Sequence, residues 1–381
     1  MIYADNAATT RLDEDAFEAM KPFLTEQYGN PSQPYAFARG PRKALRQARE
    51  TIAACIGAEP EEIIFTSGGT ESDNQAVKGT MNAFGWQGCV VTSAFEHHAV
   101  LNACAALARH GVPVRYLQPT SGGVIHPETL EKTAEAGTRL VSVMFANNEL
   151  GTVQPIRELC ETAHESGALF HTDAVQAAGH LPIDVHALGV DLLSASAHKF
   201  NGPKGVGFLF VRKGLQLRPH NDGGAQEGGL RAGTENTAGI VGMAAALKKN
   251  CDQMEETARR LSAMETELTE TLQARGIRFL RSGAGEPHLP GLLSLSFPGF
   301  DGEALLHRLD LMGICAATGA ACDSRETQIS HVLKAIGLDE TAARGTIRIS
   351  FGRYNAPSDA RTIAEALAKI IGQVPSSGRR K

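Results

Sequence analysis

The chain has 381 residues, a length that allows about two domains. Its 42% hydrophobic and 21% charged residues exclude an intrinsically disordered protein. The net charge of −5 argues against a protein that binds nucleic acid or a membrane surface directly through its charge. No apolar run approaches the roughly 18 residues that a membrane-spanning helix needs. Seven cysteines without C-x-x-C spacing favour a reducing compartment, so we expect a cytoplasmic protein.

Apolar, β-branched runs alternate with stretches of helical composition over the first two thirds of the chain. This alternation predicts an α/β domain with a mainly parallel sheet. The predicted strands are residues 63–66, 89–93, 112–117, 140–145, 168–171, 192–196 and 206–211. Predicted helices between them include 99–110 and 155–166. Residues 251–275 place apolar side chains at helical intervals, which predicts one amphipathic helix.

A second, smaller unit is predicted after that helix. Its strands are predicted at residues 292–297 and 346–351, and its helices near 302–311, 329–336 and 358–371. The polar and basic residues at about 374–381 are expected to be disordered.

The residues that follow the predicted strands indicate a ligand site, because ligands of open α/β sheets collect at the carboxyl ends of the strands. Gly68 and Gly69 precede a predicted helix that starts near Thr70. This pattern is compatible with a phosphate cradle and equally with a glycine turn capped by threonine. The other polar residues at strand ends are His97, His98, Asn147, Asn148, Glu149, Asp173, Gln176, His198 and Lys199.

Each of these residues has an ordinary explanation by itself. A lysine at a strand end is usually solvated, and His97 beside His98 is more often a surface or core pair than part of a metal site. Together, a phosphate cradle, a histidine, a carboxylate and a lysine are the set that pyridoxal phosphate requires. The lysine forms a Schiff base with it, the carboxylate keeps its pyridine nitrogen protonated, and hydrogen-bond donors hold its phosphate. We expect no metal site.

Eight motifs extend this pattern over almost the whole chain. They are DNAATT at 5–10, GNPS at 29–32, FTSGGTESDN at 65–74, NNELGTVQPI at 147–156, HTDAVQ at 171–176, SAHKFNGPKGVGFLFVR at 196–212, RAGTEN at 231–236 and ATGAACDS at 317–324. With them the chain resembles the NifS/IscS-like cysteine desulfurases, within the class V aminotransferases. The resemblance implies the pyridoxal-phosphate-dependent fold type I. It implies a large domain at 13–255 with a mainly parallel seven-stranded sheet, and a smaller α+β domain formed by 1–12 and 256–381.

The same resemblance implies the roles of individual residues. Lys199 would bond covalently to pyridoxal 5'-phosphate, His97 would stack on its ring and assist proton transfer, and Asp173 would pair with the ring nitrogen. Gln176 would contact the ring hydroxyl oxygen. The other residues implied to bind the cofactor are Gly69, Thr70, Asn148, Ser196, His198 and, from the neighbouring subunit of a homodimer, Thr234.

The resemblance also implies the substrate and the nucleophile. Asn148 and Arg348 would hold the carboxylate of L-cysteine, and a guanidinium can clamp a carboxylate bidentately. Cys322 lies among small and polar residues, in a loop at about 313–330 that is expected to be mobile. Its thiolate would take the sulfur of the substrate and release L-alanine. The persulfide sulfur would then pass to an acceptor protein of iron–sulfur cluster assembly or tRNA thiolation.

Two alternatives remain open. A selenocysteine lyase would have the same fold and cofactor. A non-catalytic scaffold for sulfur-acceptor proteins would keep only the fold, and the intact Lys199, Asp173 and Cys322 argue against it. A plain aminotransferase would need no mobile cysteine. Four positions depart from the family pattern without removing a catalytic group, namely Ala4, Tyr35, Gly228 and Ile329.

Overall fold

The structure is a computed structural model that describes residues 1–318 and 329–373. The strands in these two ranges are β1 Ile2–Tyr3, β2 Ile63–Thr66, β3 Cys89–Ser93, β4 Val114–Leu117, β5 Thr138–Ser142, β6 Leu169–Asp173, β7 Leu192–Ser196, β8 Gly207–Val211, β9 Leu280–Arg281, β10 Leu292–Ser296, β11 Ile314–Cys315 and β12 Thr346–Ser350. The α-helices are α1 Glu14–Thr25, α2 Arg39–Ile56, α3 Gly69–Asn74, α4 Thr80–Ala83, α5 His98–Arg109, α6 Pro127–Thr133, α7 Ile156–Glu165, α8 Val185–Leu188, α9 Thr237–Asp252, α10 Met254–Ala274, α11 Gly302–Asp310, α12 His331–Ala335, α13 Glu340–Arg344 and α14 Pro357–Gly372. None of the helices described combines the length and the apolar character that crossing a membrane requires.

The strands β2 to β8 form one sheet in the order β2-β8-β7-β6-β5-β3-β4. Strand β8 runs antiparallel to β2 and β7, and the remaining neighbours are parallel. The predicted α/β fold with a mainly parallel, seven-stranded sheet is therefore confirmed. The strand predicted at 140–145 is observed as Thr138–Ser142. The apolar run alone could not mark its end, because residues 143–145 stay buried outside the ladder with β3.

Successive residues of the central strands pack into two different apolar cores, one on each face of this sheet. In β7, Leu192 belongs to one core and Leu193 to the other. In β5, Leu140 and Val141 are divided in the same way. Since side chains alternate between faces at every residue of a strand, a strand that is apolar at consecutive positions belongs to a sheet covered on both sides.

The helix predicted over residues 251–275 is observed as α10, Met254–Ala274, and its predicted start is three residues too early. Helix α9 ends at Asp252 and α10 begins at Met254, and the φ of −110° and ψ of 10° at Gln253 between them are not helical. Helix α9 packs against α1 and α2, whereas α10 packs against α14. The break separates two sets of packing partners. No glycine or proline stands at this break, and the helical spacing of apolar residues continues through it. The sequence therefore gives no signal for the break.

A third apolar core lies between α10, α14 and a three-stranded antiparallel sheet of order β12-β10-β9. Strand β1 pairs in parallel with β11, and Ala4 is part of this core, so the first residues belong to the second unit. Val332 and Leu333 of α12 pack instead into a core of the large sheet. The domain limits at 12/13 and 255/256 stay a prediction.

Asp13 joins three parts of the chain at the point where α1 begins. Its carboxylate caps α1 by accepting a hydrogen bond from the Asp15 N–H at 2.9 Å. It also pairs with Lys249 of α9 at 2.9 Å and with Arg353, after β12, at 2.8 Å, and its side chain is 0% exposed. Burial by itself would raise the pKa of this carboxyl. The hydrogen bonds from Lys249, Tyr354 and the Asp15 N–H outweigh burial and hold the pKa below its ordinary value.

Replacing Asp13 with alanine should lower the free energy of unfolding by about 3–5 kcal/mol, because Lys249 and Arg353 would lose the partner that offsets their charges. Urea-unfolding midpoints followed by circular dichroism measure this loss. Asp15→Ala is the matched control, since Asp15 pairs with the same Lys249 at 2.7 Å but is 75% exposed. That change should lower the free energy of unfolding by less than about 1 kcal/mol. Equal losses from the two substitutions would contradict the prediction.

Candidate active site

Gly207, the first residue of β8, allows three backbone segments to meet at the carboxyl ends of β2 and β7. It pairs with Thr66 of β2 and with Ser196 of β7. A Cβ atom at this position would lie 2.4 Å from the Ala195 carbonyl oxygen and 2.7 Å from Gly68 Cα. A side chain here would therefore push the loop after β2 away from the end of β7.

The close approach of the loop after β2 to the end of β7 places backbone and hydroxyl groups around a cradle. Gly68 has a φ of +147°, and α3 begins at the next residue, Gly69. A Cβ atom on Gly69 would lie 2.6 Å from Val175 Cγ2 and 3.6 Å from Ser196 Cβ. N–H groups at a helix start attract anions. The structure thus brings the predicted phosphate binders Gly69 and Ser196 together. Thr70, the residue after Gly69, is exposed.

Lys199 ends a short 3-10 turn, Ala197–Lys199, that directly follows β7. Its Nζ donates hydrogen bonds to the carbonyl oxygens of Ala7 at 2.6 Å and Ala8 at 2.9 Å. Gln176 Nε2 donates to the same Ala7 oxygen at 2.9 Å. The DNAATT motif, to which the sequence analysis assigned no role of its own, therefore lies against the predicted cofactor lysine and the predicted ring contact Gln176.

Asp173 and His97 approach each other from the ends of β6 and α5. Asp173 is 4% exposed, and its Oδ1 accepts the Val175 N–H at 2.9 Å. Burial raises the pKa of this carboxyl, while His97, the Val175 N–H and Lys199 lower it. His97 caps α5 through Nδ1, which accepts the Ala99 N–H at 3.2 Å. Desolvation lowers the pKa of His97, Asp173 opposes this effect, and Lys199 adds to it, so the imidazole is neutral at pH 7.

His198, next to Lys199 in the chain, is hydrogen-bonded to the N-terminal segment. Its Nδ1 shares a hydrogen bond with Thr9 Oγ1 at 3.1 Å. Its carbonyl oxygen accepts from both the N–H and the hydroxyl of Thr10, each at 2.9 Å. Burial, together with Lys199 and Lys204, lowers the pKa of His198 to about 4. The ring is therefore neutral at pH 7 and can serve a phosphate as a hydrogen-bond partner, without a charge.

Arg348 reaches the Asn148 loop from β12 of the smaller sheet and is 8% exposed. Its Nη1 donates to the Asn148 carbonyl oxygen at 2.9 Å, and its Nη2 donates to Asp5 Oδ1 at 2.7 Å. Its Nε is buried and has no hydrogen-bond partner in the described part of the chain. The two residues predicted to hold the substrate carboxylate are in contact. The Asp5 carboxylate of the DNAATT motif also binds this guanidinium, in addition to the predicted substrate carboxylate. The sequence did not predict this contact.

One predicted residue is not joined to this group, and another lies outside the described residues. Thr234 is exposed in the loop between β8 and α9, and Arg231 ties that loop to Glu71 of α3 at 2.8 Å. Cys322 lies outside the described residues, as does most of the predicted loop at 313–330. The tail predicted at 374–381 lies outside them as well.

Comparison with known proteins identifies the family. The aminotransferase class-V family matches residues 2–363. The chain belongs to this family. It is 45% identical to the cysteine desulfurase IscS of Dictyoglomus turgidum, over 97% of this chain and 94% of that protein. It is 44% identical to the cysteine desulfurase IscS of Methanosarcina thermophila, over 97% and 92% of the two chains. A solved NifS-like protein shares a TM-score of 0.92 and 38% identity, over 98% of this chain and 100% of that one.

These matches confirm the predicted class V cysteine desulfurase, its type I fold and its dependence on pyridoxal phosphate. The residues of the site fit that cofactor. Glycine at 69 and 207 lets the loop after β2 pack closely against Val175 and the end of β7, and the N–H groups at the start of α3 are donors that suit a phosphate. The buried carboxylate of Asp173, the neutral ring of His97 and the amine of Lys199 are the groups that would hold the ring and bond to it.

Three buried groups of this class V enzyme were not singled out from the sequence, namely Asp73, Glu96 and His171. Asp73 and His171 stand inside motifs, but only the structure shows that the three are 1%, 0% and 0% exposed. Glu96 Oε1 accepts from the Ser93 hydroxyl at 2.5 Å and from the Met144 N–H at 2.9 Å. Its Oε2 has no partner among the residues described, and burial raises the pKa of Glu96 to about 8.

Glu96→Gln should gain stability relative to wild type as the pH rises from 4.5 to about 8. In this window the folded wild type keeps a proton on Glu96 that the unfolded chain loses. Wild-type stability therefore falls with pH, by at most about 1.4 kcal/mol per unit, whereas glutamine does not titrate. Urea-unfolding midpoints at about pH 5 and about pH 8 measure the difference.

Glu18→Gln is the control for this titration, because Glu18 is 63% exposed. It should keep a constant offset from wild type across the same range. A constant offset for Glu96→Gln as well would show that Glu96 is ionised in the folded protein and would contradict the prediction.

Proposed function

We propose that this chain removes the sulfur of L-cysteine at the site around Lys199, Asp173 and His97 and stores it as a persulfide on Cys322. The observation that carries this proposal is the convergence of a lysine amine, a buried carboxylate and a neutral imidazole with a glycine cradle at one sheet edge. L-Cysteine and the Cys322 thiol give L-alanine and the Cys322 persulfide. Atoms and electrons balance without an external oxidant.

When bound, pyridoxal phosphate supplies an electron sink for the pair left by removal of the substrate α-proton. Lys199 Nζ is the amine that the substrate displaces and the base that then takes this proton. Its position between the Ala7 and Ala8 carbonyl oxygens fixes where that base lies. Asp173 keeps a negative charge where the proton of the ring nitrogen needs a partner.

Arg348 and Asn148 orient the substrate through its carboxylate. The guanidinium is held by the Asn148 carbonyl oxygen and by Asp5, so its donors are aligned before substrate binds. Such preorganisation reduces the entropy lost when the reacting atoms are positioned. A carboxylate that binds here shares Arg348 with Asp5 or displaces it.

Cys322 receives the sulfur. Its thiolate forms a bond to the substrate sulfur while the substrate Cβ–S bond breaks. The electrons of the broken bond stay with Cβ, which takes a proton and becomes the methyl group of alanine. The persulfide sulfur then passes to an acceptor protein in the cytoplasm, in iron–sulfur cluster assembly or tRNA thiolation. We further propose a homodimer in which Thr234 completes the phosphate site of the neighbouring subunit.

Lys199→Ala should lose the visible absorbance of lysine-bound cofactor and lower alanine release by at least about 100-fold, because both the covalent attachment and the base are removed. Absorbance spectra and alanine release from isotope-labelled L-cysteine measure the two effects. Lys204→Ala is the matched control, since Lys204 is exposed in the same loop and should retain both signals. Wild-type alanine release by Lys199→Ala would overturn the proposed function.

The same labelled L-cysteine tests the nucleophile. Sulfur trapped on the protein by alkylation should be reducible, should map to Cys322, and should disappear in Cys322→Ala. Cys315→Ala is the control, because Cys315 lies in β11, near the start of the predicted loop range, and is half-buried. Persulfide formation that survives Cys322→Ala and is lost in Cys315→Ala would assign the nucleophile to Cys315.

Mixed dimers test whether Thr234 acts on the neighbouring subunit. A Lys199→Ala chain supplies Thr234 but has no working site, and a Thr234→Ala chain supplies Lys199. If Thr234 serves the partner, their heterodimer regains one complete site and about half of the wild-type activity, since one of two sites works. If Thr234 serves its own chain, the heterodimer has only one Thr234→Ala site and falls to about half the activity of the Thr234→Ala homodimer. Differently tagged chains purified in tandem allow alanine release to be compared.

A further inference from the structure

A second buried carboxyl group lies beside Asp173, and the reaction steps above do not use it. Asp73 belongs to α3 and is 1% exposed. An oxygen of Asp73, an oxygen of Asp173 and a ring nitrogen of His97 all lie within 4.8 Å of one another. Two carboxyl groups this close in a buried place cannot both be ionised without a large penalty. The pair therefore retains a proton.

The surroundings of the two carboxyl groups decide which one carries it. Asp173 faces Lys199, whose positive charge favours its ionised form. Asp73 faces other acids, because Asp173 and Glu96 both disfavour its ionised form. The Ser194 hydroxyl favours the ionised form of Asp73 but contributes no charge. The proton is more stable on Asp73.

His171 does not supply the missing positive charge. Its Nδ1 lies 2.8 Å from Ser142 Oγ and its Nε2 lies 2.9 Å from Ser194 Oγ. The ring is 0% exposed, and burial lowers its pKa to about 3, so His171 is neutral. Its Nε2 is 3.7 Å from Asp73 Oδ1, which is too long for a hydrogen bond.

Asp73 Oδ1 is buried and has no hydrogen-bond partner within residues 1–318 and 329–373. An ionised carboxylate has several acceptor sites that need donors, and a buried one without them is strongly destabilised. A neutral carboxylic acid tolerates that position far better. The unsatisfied oxygen is therefore a second observation, independent of the distance to Asp173, that points to a protonated Asp73.

We propose that Asp73 is a positioning residue that holds a proton beside Asp173, so that Asp173 alone presents a negative charge to the pyridine ring. The proposal rests on the cofactor site of the proposed function. One order of hydrogens satisfies both contacts of the neutral His171 ring: Ser142 donates to His171 Nδ1, and His171 Nε2–H donates to Ser194. An ionised Asp73 would draw the proton of the ring nitrogen onto Asp173 and weaken the electron sink.

Infrared difference spectroscopy of wild type against Asp73→Asn at neutral pH tests the protonation state directly, in protein with and without cofactor. The substitution should remove the carbonyl stretching band of a protonated carboxylic acid and leave the carboxylate bands unchanged. Glu96→Gln is the matched control, because Glu96 is a second buried acid and should remove a separate acid band. Loss of a carboxylate band from Asp73→Asn would overturn the proposal.

Kinetics and cofactor absorbance give a second arm. Asparagine mimics a neutral acid, so Asp73→Asn should keep the wild-type absorbance maximum and a kcat/KM within about threefold of wild type. Asp173→Asn should lose at least about 100-fold, because the charge at the ring is removed. If Asp73→Asn loses as much as Asp173→Asn, the charge of Asp73 is required and the proposal is wrong.

If Asp73→Asn does not fold, wild type labelled with carboxyl-13C aspartate replaces it. One buried aspartate carboxyl should stay protonated through neutral pH in the carbon spectrum, and the absence of such a signal would overturn the proposal. These outcomes are separate from those for the proposed function. Full activity in Lys199→Ala would refute the proposed chemistry and leave the infrared result for Asp73 in place.

Discussion

The ion pairs of the buried Asp13 carboxylate with Lys249 and Arg353 are the interaction on which the arrangement of the active site depends. A carboxylate withdrawn from water needs opposite charges beside it, and Asp13 takes them from α9 and from the turn after β12. These two elements belong to different apolar cores. The segment just before Asp13 is held at its other end by the ion pair between Asp5 and Arg348. The ion pairs at the two ends of this segment therefore fix the positions of the Ala7 and Ala8 carbonyl oxygens, which accept hydrogen bonds from Lys199 Nζ.

The site separates groups that must carry charge from groups that must not. Burial lowers the pKa values of His171 and His198 far enough to keep both rings neutral, and it raises that of Glu96. Asp173 is buried as well, but the positive charge of Lys199 beside it favours its ionised form. In a place from which water is excluded, each remaining charge acts strongly on its neighbours. The single negative charge proposed at the cofactor ring is thus a consequence of where Lys199 lies.

Much of the large sheet and of the candidate site could be predicted from the sequence, because the patterns that indicate them are formed by residues close together in the chain. The seven strands of the large sheet are short apolar runs, and Asp173 and Lys199 stand where such runs end. Because ligands collect at the carboxyl ends of such strands, both residues could be predicted from the sequence. The break at Gln253 was missed because the apolar periodicity passes through it. The contact between Asp5 and Arg348 was missed because it joins residues separated by 343 positions. No local pattern reports a contact of that kind.

The sequence by itself determined the chemistry: a lysine for covalent attachment, a carboxylate for the ring nitrogen, and glycines where backbone must approach backbone. Residue type alone decides which bonds such groups can form, so motifs suffice to recognise them. Only the tertiary structure decided which groups are paired, buried or neutral. Asp73 and Asp173 read as equal acids along the chain. Their difference arises from the cations, acids and hydroxyls that folding places around each, since the pKa of a buried group depends on its surroundings and not on its position in the sequence.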